Sequence, residues 1–505
     1  MTRKTTHRTR YTLVFGALVS SLSTMALFGY SAPAADLPAF SAEDVFEMEY
    51  ANDPQVSPDG SRVAYVRSSM DIMTDRTRRT IWVVDIDGSG HRPLVSGAGN
   101  FSSPRWSPSG DRLAYLSNTE GKTQLFVQWL EGGETAKVTT LPQSPRSIVW
   151  SPDGKHIAFT RFVPAPPPTL ADMPAKPKGA KWAEPATVVD RMTFRFDGGG
   201  YLPTGNRQVF VVPADGGTPR QMTSGDYPIS GTVSWMPDSQ SIVFSSNRRE
   251  NVEYHPRQND LYAASITTGE LTQMTDHAGP EGNPAVSPNG RYLAYTSAAD
   301  TRQGYNRADL RVMDLTSGES RSLTADLDRS VSDIQWSADS KSVWIRYNDL
   351  GMARIAEVDL KGNLTRADVV LGGTALGRPY TSGTFSVGGK DRIAYTLGRD
   401  DRPADLALMR SGKQPLQLTD LNSDLMGQRE MSRVERMVWP SSHDSMEIEG
   451  WVMKPPGFDP EKQYPMILEI HGGPHSAYGP NYSTEAELFA AAGYVVFYSN
   501  PRAVS

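Results

Sequence analysis

Residues 149–162 read VWSPDGKHIAFTRF, and this stretch decides the fold. An apolar strand end, Val149-Trp150, meets Ser151-Pro152-Asp153-Gly154, and a second strand follows in which apolar residues alternate. Proline fixes φ at the second position of a tight turn, and Asp followed by Gly tolerates the reversal, so the stretch predicts a β-hairpin. The same text recurs along the chain. Other copies are VSPDGSRVAYVRS from Val56, RWSPSGDRLAYLSN from Arg105, SWMPDSQSIVFSSN from Ser234, AVSPNGRYLAYTS from Ala285 and QWSADSKSVWIRYN from Gln335. A worn copy, FSVGGKDRIAYTLG, begins at Phe385 and brings the number to seven.

A second hairpin follows each copy, with its first strand beginning near Ile81, Leu125, Val209, Leu261, Leu310, Ile355 and Leu406. Four strands per unit and seven units predict an all-β seven-bladed propeller over residues 51–427. The turn positions Gly60, Gly110, Gly154, Ser239, Gly290, Ser340 and Lys390 are 50, 44, 85, 51, 50 and 50 residues apart. The one long interval holds an insertion at 163–206. Its proline-rich part, VPAPPPTLADMPAKPKG, reads as an exposed, extended excursion, and FRFDGGGYLPTGN follows it. Long loops in compact domains often carry binding, so the insertion, with Arg195 and Asp197 in it, is a candidate lining of a substrate entrance. Trp106, Trp150, Trp235 and Trp336 share one repeat position and read as packing between blades.

After residue 427 the pattern changes. Strands are predicted at 434–439 and 448–453, a buried strand at 466–470, a helix over 484–492 capped by Ser483 and ended by Gly493, and a strand over 494–499. The third of these runs into His471-Gly472-Gly473-Pro474, a glycine-rich loop that leaves backbone N–H groups facing whatever lies beyond. Strand, strand, strand, helix, strand is how an α/β-hydrolase domain opens, and residues 428–505 are read as the N-terminal part of one. In that fold such a loop supplies one oxyanion-hole donor.

The chain of 505 residues carries a formal charge of −6 and has no long basic run, which argues against nucleic acid as partner. A basic segment to Arg10, an apolar stretch over 11–30 and Ala32-Pro33-Ala34 have the layout of a secretory signal over 1–34, followed by a helical segment over 35–50. The expected compartment is the periplasm or beyond, without stable membrane insertion once the signal is removed. The chain has no cysteine, hence no disulfide framework.

The seven repeats, the segment EGWVMKPPGFDPEKQYPMILEIHGGPHSAYG and the later FAAAGYVVFYSNPR together resemble the prolyl oligopeptidase family of serine peptidases, in its acylaminoacyl-peptidase and dipeptidyl-peptidase branch. The resemblance implies a propeller capping an α/β-hydrolase domain that cleaves short peptides through an acyl-enzyme, with no cofactor. It also implies an oxyanion loop at His471, Gly472, Gly473 and Pro474, with Gly473 as the donor. Dipeptidyl members hold the substrate's free amine with acids from the propeller side, so the resemblance makes Glu281 before the fifth repeat and Asp197 in the insertion candidates for that contact. The family's serine lies in a G-x-S-x-G elbow, with Asp and His further on. Residues 1–505 contain no such elbow, so the expectation is a chain that ends before the triad and is inactive as it stands. Ser476 has no base beside it, His443 reads as a solvated turn residue, and His471 and His475 lack the H-E-x-x-H pattern of a metal site. The competing reading is a non-catalytic periplasmic propeller that only binds. The segment from about 430 to 502 argues against it, since a binding propeller has no use for a hydrolase opening.

Overall fold

Ser151 shows how the repeat builds its turn. Its carbonyl accepts the Gly154 N–H at 2.9 Å, its hydroxyl donates to Asp153 at 2.6 Å, and the same hydroxyl accepts the His156 N–H at 2.9 Å. Ser57, Ser107, Ser287 and Ser337 accept the corresponding N–H five residues on. The computed structural model describes residues 37–501, apart from 172, 173, 185, 304, 390, 391, 411, 412 and 474. The signal expected over 1–34 lies outside the described residues, as do Lys390 and Pro474.

Among the described residues the repeats form seven four-stranded antiparallel sheets, each with its strands in chain order. They run from Glu49–Val56 to Arg92–Val95, Phe101–Trp106 to Thr135–Lys137, Pro145–Trp150 to Arg220–Gln221, Ile229–Trp235 to Leu271–Gln273, Glu281–Val286 to Ser320–Ser322, Val331–Trp336 to Leu364–Arg366, and Phe385–Gly388 to Leu416–Gln417. The first strand of each sheet contacts that of the next, and the first strand of the seventh sheet contacts that of the first, so the β-propeller closes as a ring. Across the closure Ser386 Oγ accepts the Val56 N–H at 3.0 Å.

Packing between sheets explains the repeated apolar residues. Ile157, Phe159 and Val212 join Leu116 and Val127 of the preceding sheet in one cluster, while Ala158 and Val209 join Ile242 and Phe244 of the following sheet in another. The tryptophans do more than pack. The indole N–H of Trp106, Trp150, Trp235 and Trp336 donates to the carbonyl of Gln55, Arg105, Val149 and Ala285, each in the first strand of the sheet before, at 2.8–3.1 Å. Another recurring bond seals the outer strands: Thr139, Thr223, Thr275, Thr324 and Thr419 accept the N–H of Leu125, Val209, Leu261, Leu310 and Leu406.

Over the insertion, His156–Pro164 and Gly205–Pro213 pair as far out as Pro164 with Gly205. Beyond them lies an exposed excursion whose described regular structure is the short hairpin Arg195–Phe196 with Gly200–Tyr201.

Two expectations are corrected. The helical segment over 35–50 is a single 3-10 turn, Asp44–Phe46, and a strand begins at Glu49. Asp44 accepts the Ser41 N–H and, its carboxylate buried, pairs with Arg429, which ties the segment to the propeller's exit. The strand expected to be buried at 466–470 is an exposed edge. Arg433–Pro440, Glu447–Lys454, Val495–Asn500 and Met466–Glu469 lie side by side in that order, with only the last pair parallel. Met466 is 62% exposed and Ile470 72%, because the helix Thr484–Ala491 packs instead on Trp451, Met453, Val496 and Tyr498. The Ser483 hydroxyl caps that helix on the Ala486 N–H.

Candidate active site

A four-stranded sheet in chain order leaves the start of its first strand and its second-to-third connection at the same end. Glu281, the loop 298–308, Gly351, Arg399 and the insertion therefore share one end of the propeller. The glycine loop after Met466–Glu469 meets that end. The His475 ring lies 5.9 Å from Tyr305, whose hydroxyl bonds Ser330, and the Tyr482 N–H donates to the Arg399 carbonyl. Gly351 and Gly479 touch backbone to backbone, so that a Cβ on either would fall within 3 Å of the other.

The loop is positioned by residues that the sequence did not single out. Asn500 accepts the Tyr478 N–H at 2.8 Å and donates to the Tyr478 carbonyl at 2.9 Å, which fixes the loop's far side to the central strand. Tyr478 is fully buried, edge-on to His471 at 5.1 Å, and donates to Glu469 at 3.0 Å. Burial first, and then the Glu469 carboxylate, push its phenol above the ordinary range. Glu469 also pairs with Arg378, which reaches Glu485 on the capping helix. The Tyr380 ring lies tilted against Tyr478, 4.7 Å away, and its hydroxyl accepts the Gly472 N–H at 3.2 Å. The only signal for Asn500 was its place before Pro501; Tyr380 and Tyr478 had none.

Gly472 and Gly473 are exposed. Gly473 has φ +142°, and a Cβ there would stand 2.9 Å from the His475 nitrogen and 3.0 Å from that of Ser476. Only glycine fits. The Gly473 N–H has no partner among the described residues, so the loop presents an unengaged donor at the end of a strand, which can stabilise negative charge on an oxygen placed before it. His471 Nδ1 lies 3.0 Å from the Gly472 carbonyl oxygen, a contact that turns the ring back on its own loop.

The other sequence candidates divide. Glu281 is 3% exposed, its Oε2 has no partner among the described residues, and burial first pushes its carboxyl up. It pairs with Ser297, at the head of the loop that carries Tyr305, so it shares a face with the glycine loop. A cleft of about 360 Å³ opens beside it, lined by His277, Thr301, Asn306, Arg307, Asp309 and Arg311 among others. Arg195 and Asp197 sit on the exposed hairpin, and no hydrogen bond, ion pair or ring contact links them to 471–476 among the described residues.

Comparison with known proteins agrees with this architecture. The TolB beta propeller domain model matches residues 36–163, and the model of the dipeptidyl peptidase IV N-terminal region matches residues 182–303. The chain is 30% identical to the uncharacterized peptidase YuxL of Bacillus subtilis over 481 residues, 91% of this chain and 70% of that protein. It is 26% identical to dipeptidyl-peptidase 5 of Porphyromonas gingivalis over 467 residues, 89% of this chain and 66% of that protein. Among solved structures, the acylaminoacyl peptidase of Pyrococcus horikoshii has the same fold, with a TM-score of 0.70 at 21% identity, covering 92% of this chain and 67% of that one. The chain thus spans roughly two thirds of the length of these relatives.

Proposed function

The chain belongs to the dipeptidyl-peptidase/acylaminoacyl-peptidase family of peptidases, and on that premise we propose that it serves serine-type hydrolysis of short peptides by acyl transfer. In this reading the seven sheets are the seven blades of the propeller, and the sheet of residues 433–500 is the opening of an α/β-hydrolase domain. The observation that carries it is the Gly472-Gly473 loop: an N–H at a strand end without a partner among the described residues, held by Tyr380 and Asn500 against the propeller face that carries Glu281. Gly473 is the oxyanion donor. Export to the periplasm or beyond is proposed on residues 1–34 alone.

Acyl transfer also needs a nucleophile and a base, and removing them costs on the order of 10⁶ in turnover. Residues 1–505 hold no G-x-S-x-G, so by themselves they are expected to give neither fluorophosphonate labelling nor hydrolysis of dipeptidyl or acylaminoacyl naphthylamides. Joined at the Asn500-Pro501 strand end to the remaining third of the Bacillus subtilis relative, they are expected to give both. A chimera whose serine labels but which turns over no peptide would sink the peptidase reading. Turnover by residues 1–505 alone would sink the role given to the G-x-S-x-G elbow.

A further inference from the structure

Several arginines of the propeller are matched by acids. Arg67 pairs with Glu49, Arg105 with Asp53, Arg249 with Asp260 and Asp276, Arg329 with Asp349, and Arg346 with Asp333. The gap between the third and fourth sheets gathers three that are not. Arg207 stands two residues before Val209, which packs toward the fourth sheet with Phe244 and Tyr262. Alternate residues of a strand share a face, so Arg207 tops the same gap. Arg146 lies opposite Thr160, which shares that face with Ala158. Arg248 enters from the fourth sheet, its guanidinium 4.7 Å from the ring of Tyr227 and 5.5 Å from that of Tyr262.

None of the three has a carboxylate partner among the described residues. Nη1 of Arg207 and both Nε and Nη2 of Arg248 are buried donors without an acceptor. Burial first, and then the neighbouring charge of Arg146, hold the Arg207 guanidinium below its usual range. Buried N–H groups without acceptors are rare in folded proteins, and like charges brought together out of water raise the energy further. Both costs fall when an anion enters. Guanidinium groups bind carboxylates through paired, charge-assisted hydrogen bonds, and the Tyr227 ring, 37% exposed, leaves the gap open to solvent.

We propose that the gap formed by Arg146, Arg207 and Arg248 binds a carboxylate of the peptide, borne either by an acidic side chain or by a free C-terminus. The proposal rests on the reading that peptides occupy this face, and it adds a preference which neither the glycine loop nor Glu281 supplies.

Calorimetric titration of the full chain with three blocked peptides tests it without any turnover. Acetyl-Ala-Asp-Ala-amide carries only a side-chain carboxylate, acetyl-Ala-Ala-Ala only a terminal one, and acetyl-Ala-Ala-Ala-amide none. One or both of the first two should bind about tenfold or more tightly than the third, and the one that does identifies the source. Arg207→Gln with Arg248→Gln should erase the difference, and Arg207→Lys should keep part of it. Because these cations are unpaired at rest, Arg207→Gln without peptide should melt no lower than the parent, whereas a structural arginine would leave a destabilised protein. Equal affinity for all three peptides, no binding at all, a preference that survives the double substitution, or a lowered melt in Arg207→Gln would each overturn the site. A chimera that binds carboxylate peptides but hydrolyses none would count against the peptidase reading and leave this one standing.

Discussion

The propeller and the sheet of residues 433–500 are both built from apolar strands, yet only the propeller hides them. In the second strands of its sheets, Leu113, Ile157, Ile242, Leu293 and Val343 are fully buried, because the preceding copy of the repeat covers each one. Among the described residues the later sheet has one helix, with the loop at Tyr478, for cover. Trp451 and Tyr498 lie beneath it and are fully buried, while Met466, Leu468 and Ile470 face solvent on the edge strand. A repeat carries its own cover with it, whereas a mixed sheet must find cover elsewhere, and an exposed apolar edge is open to association.

The comparison would break most visibly under truncation of one side chain in each region. Phe159→Ala in the third sheet empties a fully enclosed site and should cost about 3–5 kcal/mol. Leu468→Ala on the edge strand should cost under about 0.5 kcal/mol. Urea unfolding followed by fluorescence, with hydrogen exchange to assign each transition to its region, measures both. Similar costs at the two positions would mean that the 466–469 strand is covered in solution.

The propeller was legible because each of its rules is local and repeated. Ser-Pro-Asp-Gly specifies a turn wherever it occurs, and seven copies average out the irregular ones. Where Ser239 and Ser340 replace the glycine, the backbone takes φ near +60° all the same, and each hydroxyl accepts an N–H from the preceding sheet's turn, at Asp153 and Asn289. The glycine loop was legible as a motif, but its supports were not. Tyr380, Tyr478 and Asn500 are far apart in sequence and meet only through the tertiary fold. Burial of 466–470 was misread because apolar composition reports what a strand can bury, not what covers it. The left-handed residues Asp53, Ser103, Ser147, Asn283 and Asp333, which bulge the first strands, carry no turn signature either.

A smaller contrast lies in the glycines of the two regions. Gly154→Ser reproduces a residue that the repeat already tolerates at the equivalent position and should cost about 1 kcal/mol or less. Gly473→Ala must add a Cβ against two backbone nitrogens at φ +142° and should cost about 1–3 kcal/mol, confined to the loop. Faster exchange of the amides of 471–476 with an unchanged propeller transition is the expected pattern. Equal effects of the two substitutions would mean that the loop adopts another conformation in solution.

The smallest effect is one of sign, read by pH. In the propeller turns, Asp59 is held down to about 2 by the Ser57 hydroxyl, then by the hydroxyl and N–H of Ser61. Its ionised form is favoured in the folded state, so its contribution is present above 3.8, its ordinary value, and is lost as pH falls through about 2. Glu487, on the helix beneath the later sheet, is 1% exposed, and burial raises its carboxyl above the ordinary 4.5 despite the N–H and hydroxyl of Ser432. There the protonated form is favoured in the folded state. Stability is greatest below 4.5 and declines as pH rises through the raised value, above which the cost of the buried charge is fully present. Mild acidification should therefore firm the later sheet before stronger acid weakens the propeller turns. Glu487→Gln keeps an acceptor for Ser432 but cannot ionise. It should melt at or above the parent at pH 7, with the difference closing toward pH 4. A variant less stable than the parent at pH 7 would show that Ser432 requires the charge, and would reverse the sign assigned to this helix.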